Sequence, residues 1–407
     1  MAVIAKKLYY IVMAKTFHIE RQTHHAHIRY ALDQLCQDVS GDVALYYGTQ
    51  PPLGFTGLFI QESNFWDVYG KQESLPHAVF VEPNFVVLYG TKDAPDIVAS
   101  TFFMLSRYEE LLNTTRDEYG RFPATATIAH TYNFIDRPIV DEYRAQLSRA
   151  LQRLFPACSV VVPQAEVRFT HDVDKLKKSR REALLTEVKN ILRGRVSGIP
   201  GFFYHLVSLK NPANTFEWFY KLEGQGIYYW MTQSEDGYTV ESPEVQSLIQ
   251  KYATYIHGVH PDRGEKLLAP VWQASGVSKA RNHFLQFEVT TTWDEMADVG
   301  ITDDSTLGFA DRCGYRAGTC RPFRVFSLAQ ECVLPLTEYP LLMMDVTLWA
   351  YMQLSPVAAF KYVQRYAAQV KKYGGVFVLL WHNFACDEWR WRAFYKQTVA
   401  YLRNSVK

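Results

Sequence analysis

Apolar and polar positions change period along this chain, and the change divides it. In residues 80–90 (FVEPNFVVLYG) two short apolar runs flank Pro83-Asn84, which predicts a pair of strands. Residues 96–112 (DIVASTFFMLSRYEELL) place Ile97, Phe102, Leu105 and Tyr108 at helical spacing, which predicts one helix. Residues 141–155 predict a second helix. Pro156 and Pro163 then bracket a short apolar segment and mark a boundary between domains.

Beyond about residue 165, short apolar runs alternate with helical stretches, the pattern of parallel βαβ units. Predicted strands cover 167–174, 226–232 (GIYYWMT), 255–260 and 376–382 (VFVLLWH). The last is apolar enough to be buried on both faces. A helix before it has Ser355 as N-cap, Pro356 at its first position and Gly374-Gly375 after its end. The expected organisation is an α/β protein with an N-terminal α/β domain of open role (1–160) and a second domain (165–407).

Composition narrows the function classes. The 407 residues are 48% hydrophobic and 21% charged, as in an ordinary globular protein. With 43 basic and 42 acidic side chains, the net charge of +1 offers no basic field, so no nucleic-acid partner is expected. Aromatic residues reach 15%, enough to fill cores and also to line a groove for the flat faces of sugars. Cys36, Cys158, Cys313, Cys320, Cys332 and Cys386 form no zinc-ribbon or disulfide pattern, which points to a reducing compartment. The first residues (MAVIAKKLYYIVMAKTF) show no signal peptide, and no run of ~20 apolar residues predicts a membrane span. A cytoplasmic location is therefore expected.

The chemistry concentrates at predicted strand ends. In Val-Arg-Phe-Thr-His-Asp-Val-Asp, Asp172 and Asp174 leave the same face of one strand, with Cα atoms about 7 Å apart. Two such carboxylates repel unless a cation or shared proton intervenes, so one suits a metal and the other a base. His260 ends a strand, follows Gly258-Val259 and is held by Pro261; His257 lies three residues earlier. Two histidines with a carboxylate make an open site for zinc or a similar ion. His382 ends the buried run 376–382, and Asn383 could orient it. Polar loops hold Arg281-Asn282-His283, Asp303-Asp304-Ser305 and Arg316 with Arg321; the arginines suit a carboxylate, a phosphate or structural ion pairs.

In this order, these segments resemble the polysaccharide deacetylase family (carbohydrate esterase family 4, NodB-like) over about 165–400. The whole chain is similar to a bacterial subgroup with an added N-terminal α/β domain, through DIVASTFFMLSRYEELL, THDVD, the Gly-x-His-Pro segment, GITDDSTLGFADRCGYRAGTCRPF and LLWHN. The resemblance implies a distorted (β/α) barrel and a divalent ion, zinc by preference. It implies Asp172 as base, Asp174 and His260 as ligands, and His382, in Leu380-Trp381-His382, as general acid. Arg281, Asp304, Arg316, Trp381 and Asn383 become candidates for binding or orienting substrate. The family's second histidine, usually four residues from the first, is missing: Ile256 and Gly264 stand there. His257 is the expected substitute, with His283 and Glu265 as further options. The implied reaction removes an N-acyl group, acetyl in the first instance, from an amino sugar or polysaccharide precursor in surface polysaccharide biosynthesis. A deacetylase fold that only binds, or a hydrolase for another acyl group such as formyl, are the alternatives. The oligomeric state stays open.

Overall fold

The computed structural model describes residues 15–177, 180–192, 199, 203, 211, 213–262, 277–385 and 389–406. Residues 1–14, read above for a leader, lie outside them. Strand β1 (Lys15–Ile19) leads through helix His25–Leu35 and the two-residue strand β2 (Val39–Ser40) to β3 (Val43–Gly48) and then β4 (Leu58–Gln61). β1, β3 and β4 form a parallel three-stranded sheet in that order. The predicted strand pair is the antiparallel hairpin β5 (Phe80–Glu82) and β6 (Phe85–Val87), turned by Pro83-Asn84. Helix Ile139–Leu154 follows, and β7 (Ser159–Val160) returns to pair with β2.

The single helix expected over 96–112 is instead two, Ile97–Leu105 and Tyr108–Leu112. Asp96 caps the first by accepting from Ala99 N at 2.9 Å. Arg107 breaks the run with φ 57°, a left-handed conformation that a β-carbon makes costly. The break lets its buried guanidinium reach Met104 O at 3.2 Å and Glu110 Oε1 at 2.9 Å. Apolar periodicity carries no trace of such an ion network.

The remaining strands build one nine-stranded sheet. They are β8 (Glu166–Val173), β9 (Ile227–Met231), β10 (Ile256–His260), β11 (Lys279–Ala280), β12 (Asp303–Asp304), β13 (Phe323–Ser327), β14 (Cys332–Glu338), β15 (Met343–Met344) and β16 (Val376–Leu380). Their order is β13-β14-β12-β11-β10-β9-β8-β16-β15. Every neighbouring pair is parallel except β13 with β14. The four strands predicted in this half are β8, which is shifted by one residue, and β9, β10 and β16, each shorter by a residue or two. The fold is thus mixed α/β around a large sheet. Among the described residues its ladders run from β13 at one end to β15 at the other.

Helix Pro356–Tyr373 packs beside β16, with Ser355 Oγ accepting from Ala358 N at 3.2 Å and Gly374 closing it at φ 64°. One apolar cluster runs from Ile28 and Leu32 in the first helix to Val325 and Leu336 in β13 and β14. Tyr30 adds a hydrogen bond to Arg324 O at 2.8 Å. Residues on both sides of 160–165 therefore share apolar surface. Among the described residues no helix is long and apolar enough to cross a membrane.

Candidate functional site

In a parallel sheet all strands end on one edge, so polar residues just past apolar strands collect there. Asp172 and Asp174 arrive from β8, His260 from β10, Arg281 and His283 from the segment after β11, Asp345 from β15 and His382 from β16. They surround a cavity of about 260 Å³ lined by Asp172, Asp174, His260, His283 and His382.

Strand parity sets the first contacts. Thr170 and Asp172 share a face of β8, and Arg281 Nη1 donates to both, at 2.9 Å to Thr170 Oγ1 and 3.0 Å to Asp172 Oδ1. Arg281 is itself held by Ser305, through its carbonyl at 2.9 Å and its hydroxyl at 3.0 Å, and lies over the Tyr229 ring at 4.6 Å. His171, on the other face, is a satisfied core histidine bonded to Glu223 Oε2 at 3.0 Å and Trp381 O at 2.8 Å.

The Nε2 atom of His260 lies 3.6 Å from Asp172 Oδ2 and 3.5 Å from Asp174 Oδ1. Its Nδ1 is engaged by Arg281 O at 2.7 Å, which leaves Nε2 facing the carboxylates. His283 places its Nδ1 2.6 Å from Asp262 Oδ1, which leaves its other nitrogen for the cavity. One donor atom from each of Asp174, His260 and His283 falls within 4.8 Å of the others. Asp174 Oδ1 is buried there without a hydrogen bond from any described residue. Two oriented imidazoles and an unsatisfied carboxylate oxygen fit a divalent ion with open positions, and the outer hydrogen bonds to Arg281 O and Asp262 are those that metal-bound histidines use.

His382 stands on the opposite side of Asp174, with Nε2 3.7 Å from Oδ2. Asp345 holds it through Nδ1 at 2.7 Å and through its backbone N–H at 2.7 Å. Burial favours the neutral imidazole, but Asp345 and then Asp174 outweigh it and raise the His382 pKa to about 10. Burial likewise opposes ionisation of Asp174, and His382, His260 and His283 reverse this to hold it below the usual carboxylate range. For His260, Asp172 and Asp174 overcome burial and raise the pKa. For His283, burial, helped by His260, lowers it.

Several expected residues lie elsewhere. His257 is three positions from His260, an odd offset that turns its ring to the other face of β10. There it stacks beside Tyr228 and Trp230 and accepts from Trp230 Nε1 at 3.1 Å, so His283 and not His257 supplies the nearby second imidazole. Glu265, the further option, is outside the described residues. Arg316 is buried in a two-pronged pair with Glu110, at 2.9 and 2.7 Å, and is not among the residues that line the cavity. Asp304 is buried opposite Glu338, its register partner, and burial raises both pKa values. Trp381 packs on Phe394 and Tyr395 away from the cavity. Asn383 donates to Lys175 O at 2.7 Å and Ala213 O at 3.0 Å, tying the end of β16 to the turn that carries Asp174.

Residues 17–156 match a family of unknown function, DUF7033. No curated protein matches the chain. Among solved structures, a Mycobacterium smegmatis protein described provisionally as a polysaccharide deacetylase is similar at 16% identity and a TM-score of 0.39. That similarity covers 60% of this chain and 85% of the other.

The matched N-terminal stretch also reaches the cavity. Tyr119 and Arg121 line it. Arg121 is tied to Asp117 at 2.7 Å and to Tyr351 OH at 2.9 Å. Tyr119 stacks on Phe284 at 5.2 Å, and Phe284 on His283 at 4.0 Å. Phe284 and Leu285 hold φ values of 58° and 56°, strained for residues with side chains, which presents both to the cavity. Asp345 has a sequence signal of the same kind as His382, a polar residue directly after the apolar run Leu342-Met343-Met344. Tyr119 and Arg121 have none.

Proposed function

We propose that this cavity removes an N-acyl group, acetyl in the first instance, from an amino sugar by divalent-metal-assisted hydrolysis. The observation that carries the reading is the grouping of Asp174, His260 and His283 within 4.8 Å, flanked by Asp172–Arg281 on one side and His382–Asp345 on the other. Asp174, His260 and His283 would hold the ion, zinc by its donor set, which when bound supplies a Lewis acid for the acyl carbonyl and makes water more acidic.

Asp172 takes the proton of the attacking water, and Arg281, at 3.0 Å, orients it. As the water oxygen bonds to the acyl carbon and the C–N bond breaks, protonated His382 gives its proton to the departing nitrogen. The products are a carboxylate and a free amine. Asp345 keeps His382 charged and aimed. Of the three carboxylates that raise the His382 pKa, Asp345, Asp174 and Asp172, Asp174 would be offset by a bound cation, which would bring His382 closer to a useful acid.

Leu285, Met344 and Val346 offer an apolar wall for the acyl group, and Tyr119, Phe284, Tyr351 and Phe384 offer ring faces for a sugar. A cavity of about 260 Å³ suits one sugar unit and its acyl group better than a long polymer. In this reading the strands from β8 onward form a distorted barrel-like catalytic unit, and Tyr119 and Arg121 from the N-terminal part close its mouth. Release of acetate from N-acetylated amino sugars by the zinc-loaded protein tests the proposal. Asp172→Asn and His382→Ala should each lower kcat by roughly 10²- to 10⁴-fold. Full activity in either variant, or no divalent ion bound by the wild-type protein, rejects it.

A further inference from the structure

A second cavity, of about 280 Å³, shares no lining residue with the first and lies between helix Ile139–Leu154, the C-terminal end of helix Pro356–Tyr373 and the segment leading into β13. On the first helix Asp141, Arg144, Ser148 and Gln152 recur at three- and four-residue spacing, so one polar stripe faces the cavity. The apolar stripe of the same helix, Tyr143, Leu147 and Leu151, is buried in the core. Arg321 and Lys372 come from the other walls.

The charges do not balance. Among the described residues that line it, Arg144, Arg149, Arg321 and Lys372 stand against Asp38 and Asp141, a surplus of two positive charges in one cavity of a chain whose net charge is +1. Both carboxylates are already engaged. Asp38 grips Arg321 through two bonds at 2.6 and 2.7 Å. Asp141 pairs with Arg144 and also accepts from Thr319 Oγ1 at 2.9 Å and Cys320 N at 2.8 Å. Arg149 and Lys372 are exposed at the mouth.

The floor is under-satisfied. Arg144 is 2% exposed, with Nε bonded to Gln34 O at 3.0 Å, yet its Nη2 is buried without a partner among the described residues. Ser148 Oγ, one turn along, is also buried without one. Unpaired buried donors are costly and rare in a folded protein, and a guanidinium edge with a nearby hydroxyl is the donor set that oxyanions use. Burial lowers the Arg144 pKa despite Asp141, so the charge there is short of compensation.

We propose that this cavity is a binding site for a phosphoryl group on a small molecule, gripped by Arg144 and Ser148 at its floor and by Arg149 and Lys372 at its mouth. The surplus of two positive charges decides the class. A phosphate monoester carries close to two negative charges at neutral pH, whereas a carboxylate carries one. The site spans both sides of the boundary near residue 160, since Arg144, Ser148 and Arg149 precede it and Arg321 and Lys372 follow it. Occupancy would therefore tighten the contact between the two parts of the chain.

The test is calorimetric titration of the full-length protein with inorganic phosphate, and with acetate as a control, at constant ionic strength. Expected is saturable binding of about one phosphate per chain below ~10 mM, with none for acetate. The exposed double variant Arg149→Glu/Lys372→Glu should weaken binding at least about tenfold. Ser148→Ala should weaken it with Tm unchanged in the absence of phosphate. Asp174→Asn, which alters the other cavity, should leave it as it is. No saturable binding, equal affinity in the double variant, or loss confined to Asp174→Asn would overturn the assignment. The last outcome would place the phosphate on the metal-site cluster and leave the hydrolase reading standing.

Discussion

Asp345 holds both ends of the His382 orientation, accepting the backbone N–H through Oδ2 and meeting Nδ1 through Oδ1, each at 2.7 Å. The carboxylate is fully buried and the imidazole nearly so. A pair of this kind sets which ring nitrogen faces the cavity and keeps the ring protonated.

Asp345→Asn should therefore change the pH dependence as well as the rate. His382 acts as an acid, so activity needs its proton and falls as pH rises through its pKa. Asp345 is the strongest of the groups raising that pKa, toward about 10. In the Asn variant the alkaline limb of kcat should move to lower pH, and kcat should drop roughly 10²-fold or more. A kcat–pH profile of the two proteins decides. An unmoved alkaline limb would mean that Asp345 serves only the fold.

The two candidate histidines separate in a metal titration. His283→Ala removes a donor from the group with Asp174 and His260 and should weaken zinc at least about a hundredfold, the upper range for outer partners of metal ligands. His257→Ala touches Trp230 and not this group, so its zinc affinity should stay within a few-fold of wild type. Competition with a chelating dye measures both.

Arg316 should matter to stability and not to substrate. Both it and Glu110 are buried, and removal of Arg316 leaves Glu110 and Glu109 to Arg107 alone, so the buried charges there no longer balance. Arg316→Ala should lower unfolding free energy by about 3–5 kcal/mol in urea titrations. KM should be unchanged at temperatures where the variant stays folded. A raised KM with normal stability would return Arg316 to the site.

His27 should make the protein acid-sensitive. It is 2% exposed, packed among Trp66, Tyr69, Phe102 and Phe326, and neither ring nitrogen has a partner among the described residues. Burial, with a smaller push from His24, lowers its pKa from 6.5 to about 4. The folded state thus binds the proton less well than the unfolded chain. Its stabilising share is complete above pH ~6.5 and is lost as pH falls toward ~4, up to about 3 kcal/mol. His27→Phe should flatten that loss in urea midpoints measured from pH 7 to pH 4.

The local signals in this chain were strong wherever the physics was local. Alternation on one strand was enough to put Asp172 and Asp174 on a common face. Apolar runs ending in His260 and His382 marked strand ends, and the shared direction of parallel strands brings those ends to one edge. Ser355 and Gly374 bounded a helix by the bonds that their own neighbours make. The break at Arg107 was hidden, because it serves an ion network that extends to Arg316, more than two hundred residues away. The same distance concealed the partners of Arg316 and Arg321, for which the sequence left ligand binding and structural ion pairs open and which pair with Glu110 and Asp38.

By itself, then, the sequence determined the hairpin β5–β6, strands β8, β9, β10 and β16, the helices Ile139–Leu154 and Pro356–Tyr373, the face on which each side chain leaves its strand and the kinds of group available for chemistry, since backbone geometry and near-neighbour bonding decide these. Only the tertiary structure decided that His283 stands beside His260 while His257 turns away, that Asp345 holds His382, and that Tyr119 and Arg121 reach the cavity from the other end of the chain. Such meetings depend on how distant segments pack and on which buried charges must be paired, and no local window of residues contains that information.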